Sequence, residues 1–308
     1  MFAVALLTLV VDTFEVRAIT VAPAETLRTV SLGTGDPVVF IPGLLGGAFG
    51  YRRVMRGIAS RPARAIVIEP LGSGESSRPG KADYSLTAQS QRVALVRDSL
   101  GLGPVWVVAQ SLGASIALRL GYAHPERVKG ILLIDGGPAE SAAPPGLRRA
   151  MRFAPLLKLF VGRGTIRRSI RNGILANSGD SAWVTEEVLE GYTAAAARNV
   201  GATIDAFRGM ARSTEPESLH DHLQEIRVPV RLMLGTAPHE SGLSTAEVDS
   251  LAAALGDRRL KTVPGAGQYL HEERPDAVME ALAGLMDSRG PGPEPAQALE
   301  VGAGNGPP

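Results

Sequence analysis

The amino-acid sequence predicts an α/β protein with a mostly parallel β-sheet, flanked by helices and interrupted by an inserted helical cap. Short β-branched and aliphatic runs alternate with segments of helical periodicity over residues 37–135, and the strand pattern returns after residue 228. This alternation with short loops is typical of a parallel sheet covered by helices on both faces. Between residues 136 and 225 the chain has helix-like segments and no buried strand run, which indicates a helical insertion between two strands.

Each element is assigned from its hydrophobic pattern, in chain order. Continuous apolar runs predict strands that are buried on both faces, and the first two runs alternate. The predicted strands are residues 17–21, 27–32, 37–42, 63–69, 105–108, 128–135, 228–235 and 260–264. Apolar residues at helical spacing predict helices at residues 51–60, 86–99, 114–120, 251–255 and 275–286.

Composition describes a globular protein with one large core and room for a smaller appended subdomain. Of 308 residues, 44% are hydrophobic and 20% are charged, and the net charge of +1 predicts no strong attraction to nucleic acid. The absence of cysteine excludes disulfides, thiolate metal sites and a cysteine nucleophile. His220 and His222 form a weak metal-ligand pair without a third ligand, so we expect no metal and no cofactor.

These patterns divide the chain into five segments. They are a hydrophobic start at 1–24, a first core part at 25–137, the helical cap at 138–225, a second core part at 226–287, and a Gly/Pro-rich tail at 288–308 that we expect to be disordered. Residues 2–11 have the length of a signal-peptide core but no basic leader, and a buried first strand is the alternative. Localisation therefore stays open between cytoplasmic and exported, depending on whether residues 1–18 are a truncated signal.

The chemistry is expected at Ala109-Gln110-Ser111-Leu112-Gly113, where a buried strand turns into a helix. Small residues flank Ser111, as a sharp strand-to-helix turn requires, and such a turn holds the serine above the sheet at a helix N-terminus. There the helix amides favour the negative charge of an oxyanion. The pattern is a Gly-x-Ser-x-Gly elbow with Ala in its first place, and it predicts a serine nucleophile.

Taken together, four segments in this order resemble the α/β-hydrolase superfamily, in its branch of esterases, lactonases and C–C hydrolases with a helical cap. The segments are residues 42–47, 69–76, 109–113 and 263–267. The resemblance implies hydrolysis of a hydrophobic ester, lactone or thioester in a pocket that includes Gln110 and Gln268. It also implies an oxyanion hole formed by the Leu44 and Leu112 amides. The alternative is a ligand-binding pseudoenzyme that keeps the pocket without the chemistry.

Two positions depart from the family's pattern. Gln268 stands where the resemblance places the catalytic histidine, and Pro238 where it places the acid. An amide cannot take the serine proton, so the candidate replacements are His271 as base and Asp135 or Glu240 as acid. Because the loop keeps the family's spacing, we expect Gln268 rather than His271 to face Ser111, with both in one pocket.

The cap contains a basic amphipathic stretch. Residues 147–171 carry eight basic side chains and no acidic one, interleaved with Met, Phe, Leu and Ile. This pattern indicates either a solvated helix face above an apolar pocket or contact with an anionic membrane surface or anionic substrate. The oligomeric state is not predicted.

Overall fold

The computed structural model describes residues 13–44, 46–239, 243–255 and 260–288. In that part of the chain, eight strands form one sheet in the order β1-β2-β4-β3-β5-β6-β7-β8. The strands are β1 (Glu15–Ala22), β2 (Glu25–Gly33), β3 (Asp36–Ile41), β4 (Ala63–Ile68), β5 (Val105–Gln110), β6 (Val128–Ile134), β7 (Val230–Gly235) and β8 (Leu260–Val263). The hydrophobic segment at residues 2–11, for which a signal-peptide core and a buried first strand are the alternatives, lies outside the described residues, as does the tail beyond residue 288.

The sheet is antiparallel at one edge and parallel elsewhere. β1 pairs with β2 and β2 with β4 in antiparallel fashion, whereas β4, β3, β5, β6, β7 and β8 run parallel. All six residues of β5 are buried, as expected of a central strand covered on both faces. Because the carboxyl ends of parallel strands meet at one edge, the loops after β3, β5, β6, β7 and β8 converge there.

Helices cover both faces of the sheet. The core helices are α1 (Arg52–Ala59), α2 (Leu86–Ser99), α3 (Leu112–Ala123), α9 (Thr245–Leu255), α10 (Leu270–Glu273) and α11 (Pro275–Asp287). Apolar residues of α2 and α3 form one buried layer against the sheet, and those of α1 and α11 form the other. The predicted fold class, a mostly parallel sheet between helices, is confirmed.

Between β6 and β7 the chain is helical, and this region is called the cap below. It contains α4 (Pro145–Met151), α5 (Ala154–Phe160), α6 (Arg163–Ala176), α7 (Glu186–Arg198) and α8 (Val200–Arg212). Two small apolar clusters hold the cap together, one between α6 and α7 and one joining α4, α5 and α8. No helix in the described residues is long and apolar enough to cross a membrane.

Candidate functional site

Ser111 lies in a strained turn between β5 and α3. Its backbone has φ 51° and ψ −122°, a conformation that non-glycine residues seldom adopt and that costs about 1–3 kcal/mol. The turn is tightly enclosed, because a Cβ on Gly113 would lie 2.3 Å from the Ile41 carbonyl oxygen. A small residue is therefore required there, as the elbow pattern predicts, and the serine is held at the carboxyl edge of the sheet.

The side chain in contact with Ser111 is the amide of Gln268, in the loop between β8 and α10. Gln268 Nε2 donates to Ser111 Oγ at 3.2 Å. The Gln268 backbone N–H donates to the Asn177 carbonyl at 2.8 Å, and Gln110 Nε2 reaches the Gln268 carbonyl at 3.5 Å. The expected apposition of Gln268 and Ser111 is therefore present. An amide nitrogen cannot accept a proton, so this contact does not provide a general base.

Two backbone segments approach Ser111 where the oxyanion hole is expected. Leu112 is the first residue of α3, so its N–H lacks an acceptor within the helix. Leu44 lies in the loop after β3, which passes close to the elbow: a Cβ on Gly43 would lie 2.6 Å from Gln110 Oε1 and 3.2 Å from Ser111 Cβ. Leu45 of the same loop lies outside the described residues.

The loop that carries Leu44 is held by a buried carboxylate. Glu69, at the end of β4, accepts hydrogen bonds from the Ala48 N–H at 2.8 Å and the Glu75 N–H at 2.6 Å. Arg28 lies 3.3 Å from the same carboxylate. Burial raises the pKa of Glu69, while the two amides and the guanidinium favour its ionised form. Glu69 thus joins the loops after β3 and β4 on one side of the serine.

Ser111 opens into a cavity of about 370 Å³ beneath the cap. Its walls are mostly apolar, and both Gln268 and His271 are part of them. The loop after β3 forms one side, and Pro144, Asn177 and Tyr192 of the cap region form another. The volume suits a small, largely apolar molecule with few polar groups.

His271 lies in this cavity wall without a hydrogen bond to Ser111. Its ring stacks on Tyr51, with centroids 4.7 Å apart, and its Nε2 lies 3.4 Å from the Tyr192 hydroxyl. Complete burial, assisted by the nearby charge of Arg52, lowers the pKa of His271 to about 3. The imidazole is therefore neutral at physiological pH and packs as a core aromatic. This geometry does not support His271 as the replacement base, because the ring stacks on Tyr51 and contacts the Tyr192 hydroxyl instead of Ser111.

A buried histidine–carboxylate pair lies at the neighbouring strand ends. Asp135 follows β6, and its Oδ2 lies 2.7 Å from His239 Nε2 in the loop after β7. A Cβ on Gly136 would lie 2.3 Å from the Ser111 carbonyl oxygen, so this end of β6 packs directly against the elbow. Asp135 thus contacts His239 and not the candidate partner His271. Glu240, the other candidate acid, lies outside the described residues.

Both ring nitrogens of His239 have a hydrogen-bond partner. Its Nδ1 lies 2.7 Å from the Ala237 carbonyl oxygen, which only accepts, so Nδ1 must carry a hydrogen. The Nε2–Oδ2 contact needs one further proton, on either the imidazole or the carboxyl. Burial raises the pKa of Asp135, and His239 opposes that shift.

Sequence reasoning assigned no role to His239. The signal was present, because His239 stands next to the position where the resemblance places an acid, and Asp135 ends the neighbouring strand. The two other histidines considered for a metal pair contact separate carboxylates: His220 Nδ1 lies 3.0 Å from Glu140, and His222 Nδ1 lies 2.8 Å from Glu225.

One carboxylate joins the Gln268 loop to the cap. Glu273 accepts hydrogen bonds from the Gly267 N–H at 3.1 Å, the Gly179 N–H at 3.0 Å and the Asp180 N–H at 2.9 Å. Together with the bond from Gln268 to Asn177, these contacts fix the loop after β8 against the segment between α6 and α7.

The sheet order and the serine elbow define an α/β-hydrolase-fold protein, and residues 36–181 match the family described as the alpha/beta hydrolase fold. The resemblance predicted from the four sequence segments is thereby confirmed. The chain is 29% identical over 233 residues to a putative 2-succinyl-6-hydroxy-2,4-cyclohexadiene-1-carboxylate synthase of Bacillus subtilis (strain 168), covering 73% of this chain and 82% of that protein.

Solved structures share the fold across different chemistries. An epoxide hydrolase, CorEH, superimposes with a TM-score of 0.72 at 16% identity, covering 90% of this chain and 99% of that one. Est816, described as an N-acyl homoserine lactone degrading enzyme, gives a TM-score of 0.64 at 23% identity, covering 87% and 99%. At these identities the likeness establishes the fold alone, because one fold supports many reactions.

Proposed function

We propose that the cavity binds a small, largely apolar ester, lactone or thioester and that Ser111 attacks its carbonyl carbon. The observation that carries the proposal is the strained Ser111 backbone, which presents the hydroxyl to a cavity of about 370 Å³. Strain of this kind persists only where the surrounding structure enforces it, and it is concentrated at functional sites. The family resemblance, with esterases and a lactonase among proteins of this fold, supports the same class of substrate.

The reaction that fits is acyl transfer followed by hydrolysis. The Ser111 Oγ–carbonyl bond forms and the bond to the alcohol, or to the thiol of a thioester, breaks. The negative charge of the intermediate falls on the carbonyl oxygen, near the Leu44 and Leu112 amides. Water then hydrolyses the acyl-serine and releases the acid. The serine proton goes to solvent, because Gln268 donates to Ser111 and does not accept. The departing alkoxide takes a proton from water, and a thiolate can leave as the anion.

Because no side chain accepts the Ser111 proton, the reaction should have a distinctive pH dependence. A serine hydrolase with a histidine base reaches a plateau once that histidine is neutral. Without such a base, attack requires the small fraction of Ser111 that hydroxide deprotonates. We therefore expect the rate to rise about tenfold per pH unit from pH 6 to 9, without a plateau.

A second candidate function is favoured by the same amide. With Gln268 in place of a base, the cavity is suited to hold a carbonyl ligand without turning it over. Such a protein would be a ligand-binding pseudoenzyme, and a saturating ligand would raise its melting temperature while remaining intact.

Labelling with a fluorophosphonate probe separates the two candidates. We expect the wild type to be labelled increasingly fast from pH 6 to 9, and Ser111→Ala not at all. Ser178→Ala is the matched control, because its hydroxyl bonds the Ile174 carbonyl and lies outside the cavity wall. If Ser111 is not labelled at any pH but short-chain esters still stabilise the protein, the binding function replaces the hydrolase. If neither labelling nor stabilisation occurs, both are wrong.

A further inference from the structure

Helix α5 and the residue directly before it carry large apolar side chains that are exposed to solvent. Phe153, Leu156 and Phe160 are 59%, 55% and 80% exposed. They recur at helical spacing, so they form one strip, while Ala154 on the opposite side is buried. In the described residues only two other large apolar side chains, Val16 on β1 and Leu95 on α2, are comparably exposed. The strip is therefore a concentration of apolar surface and not the usual scatter.

A groove of about 870 Å³ lined by arginines adjoins this strip. Its basic residues come from α4, α8 and the turn before α5, and they are Arg148, Arg149, Arg152, Arg208 and Arg212. None of these five forms an ion pair with any carboxylate in the described part of the chain. Arg152 directly precedes Phe153, so the groove and the strip form one continuous surface, called the basic–apolar surface here.

Other cations of the cap are in part paired with carboxylates. Lys158 pairs with Asp205, and Arg167 pairs with Glu186 and Glu190. What sets the groove apart is that five arginines gather around one concave surface with no carboxylate among its lining residues. Like charges crowded in this way repel each other unless an external anion compensates them.

We propose that the basic–apolar surface docks the protein onto the surface of an anionic lipid bilayer. Here arginines from α4, α8 and the turn before α5 lie beside the apolar strip, and this combination of basic and large apolar side chains is also found on helices that lie in the bilayer interface. The arginines would contact lipid phosphates, and the phenylalanines would enter the boundary between headgroups and acyl chains. A free anion accounts for the arginines alone, whereas a bilayer accounts for the exposed phenylalanines as well. The proposal is independent of the chemistry at Ser111.

The test is co-sedimentation of the full-length protein with vesicles of phosphatidylcholine alone or with 30% phosphatidylserine. We expect binding only to the anionic vesicles, weakened when salt is raised from 0.05 to 0.5 M. Each arginine at an anionic surface contributes about fivefold in partition. The variant Arg148→Gln/Arg149→Gln/Arg152→Gln should therefore bind about 100-fold more weakly.

Two further variants separate charge from insertion. Phe153→Ser/Phe160→Ser keeps every charge, and we expect it to lose about tenfold or more in partition. The matched controls are Leu95→Ser, an exposed apolar residue on α2, and Arg61→Gln/Arg227→Gln, exposed arginines that form no ion pair within the part of the chain that the structure describes. We expect both controls to bind as the wild type does. In Phe160→Trp, the added fluorescence should be quenched by brominated lipid acyl chains.

Several results would overturn the proposal. They are equal binding to both vesicles, binding that salt does not weaken, and controls that lose as much as the cap variants. Absence of quenching in Phe160→Trp would exclude insertion. Tight binding of inorganic pyrophosphate or a single-stranded oligonucleotide without vesicle binding would assign the groove to a soluble polyanion. A dimer in vesicle-free solution that Phe153→Ser/Phe160→Ser abolishes would assign the strip to self-association.

Discussion

Replacing Gln268 by histidine should convert a slow site into a fast one. In both side chains, Nε2 is separated from Cβ by the same number of bonds, so the imidazole nitrogen can occupy the position of the amide nitrogen. That nitrogen lies 3.2 Å from Ser111 Oγ, within reach for proton transfer. A positioned general base contributes about 10²–10⁴-fold in rate, or about 3–5 kcal/mol of barrier.

The size of the gain depends on whether the new histidine finds a carboxylate. Asp135 ends the strand beside the elbow, but its Oδ2 is bonded to His239. We therefore expect Gln268→His alone to give about 10²-fold, near the lower end of that range, because the imidazolium formed during attack lacks a dedicated counter-charge. Adding His239→Gln leaves Asp135 available and should raise the rate further.

The assay is the rate constant for fluorophosphonate labelling, together with hydrolysis of short-chain nitrophenyl esters, at pH 7.5. The gain should disappear in Ser111→Ala/Gln268→His and should be absent in Gln268→Leu, which removes the amide without supplying a base. A folded Gln268→His that labels no faster than wild type would refute the argument that a base is what the site lacks. The defect would then lie in the oxyanion loop or in access to the cavity.

Three further predictions concern buried ionisable groups. The pKa of His271 is about 3 in the folded protein and near its ordinary value of 6.5 in the unfolded chain, so acid favours unfolding. Lowering the pH from 7 to 5 should reduce the free energy of unfolding, measured by urea denaturation, by about 2 kcal/mol. His271→Phe should abolish this pH-dependent loss of stability. An equal loss in the variant would show that His271 is not its cause. Asp135→Asn should lower the melting temperature by about 5–10 °C, since it breaks a buried pair with His239. Asp135→Asn/His239→Gln should recover part of that decrease. An unchanged melting temperature in the single variant would refute the pairing. Glu69→Gln should lower the free energy of unfolding by about 2 kcal/mol and slow the labelling of Ser111, because the loop after β3 loses a charged hydrogen-bond acceptor. Labelling at the wild-type rate would show that this loop does not need the Glu69 carboxylate.

The fold could be predicted from sequence because its signals are local. Apolar runs predict the strands, and the small residues around Ser111 predict the turn, since each depends on neighbours only a few positions away. The contact between Gln268 and Ser111 was also accessible, because the loop after the last strand keeps a spacing that the resemblance recognises. Local sequence patterns therefore predict both residues of the Gln268–Ser111 contact.

The remaining features of the site depend on packing between distant segments. His239 and Asp135 are 104 positions apart and meet only because β6 and β7 are neighbours in the sheet. Nothing in the sequence around His271 shows that its ring stacks on Tyr51, 220 positions away in the turn before α1. The role of a histidine in this protein is decided by which strand end or aromatic ring it meets, and a short motif does not encode that.

The contacts of Glu273 imply that ligand entry and the state of the serine are thermodynamically linked. If the cap lifts at the junction of α6 and α7 to admit a molecule, the bonds to Gly179 and Asp180 must break. The bond from the Gln268 backbone to Asn177 breaks with them, and the amide that restrains Ser111 loses its support. A ligand that holds the cap open would thereby release the hydroxyl, and one that favours the closed cap would restrain it. Reciprocally, any change at residue 268 should alter how readily the cap opens.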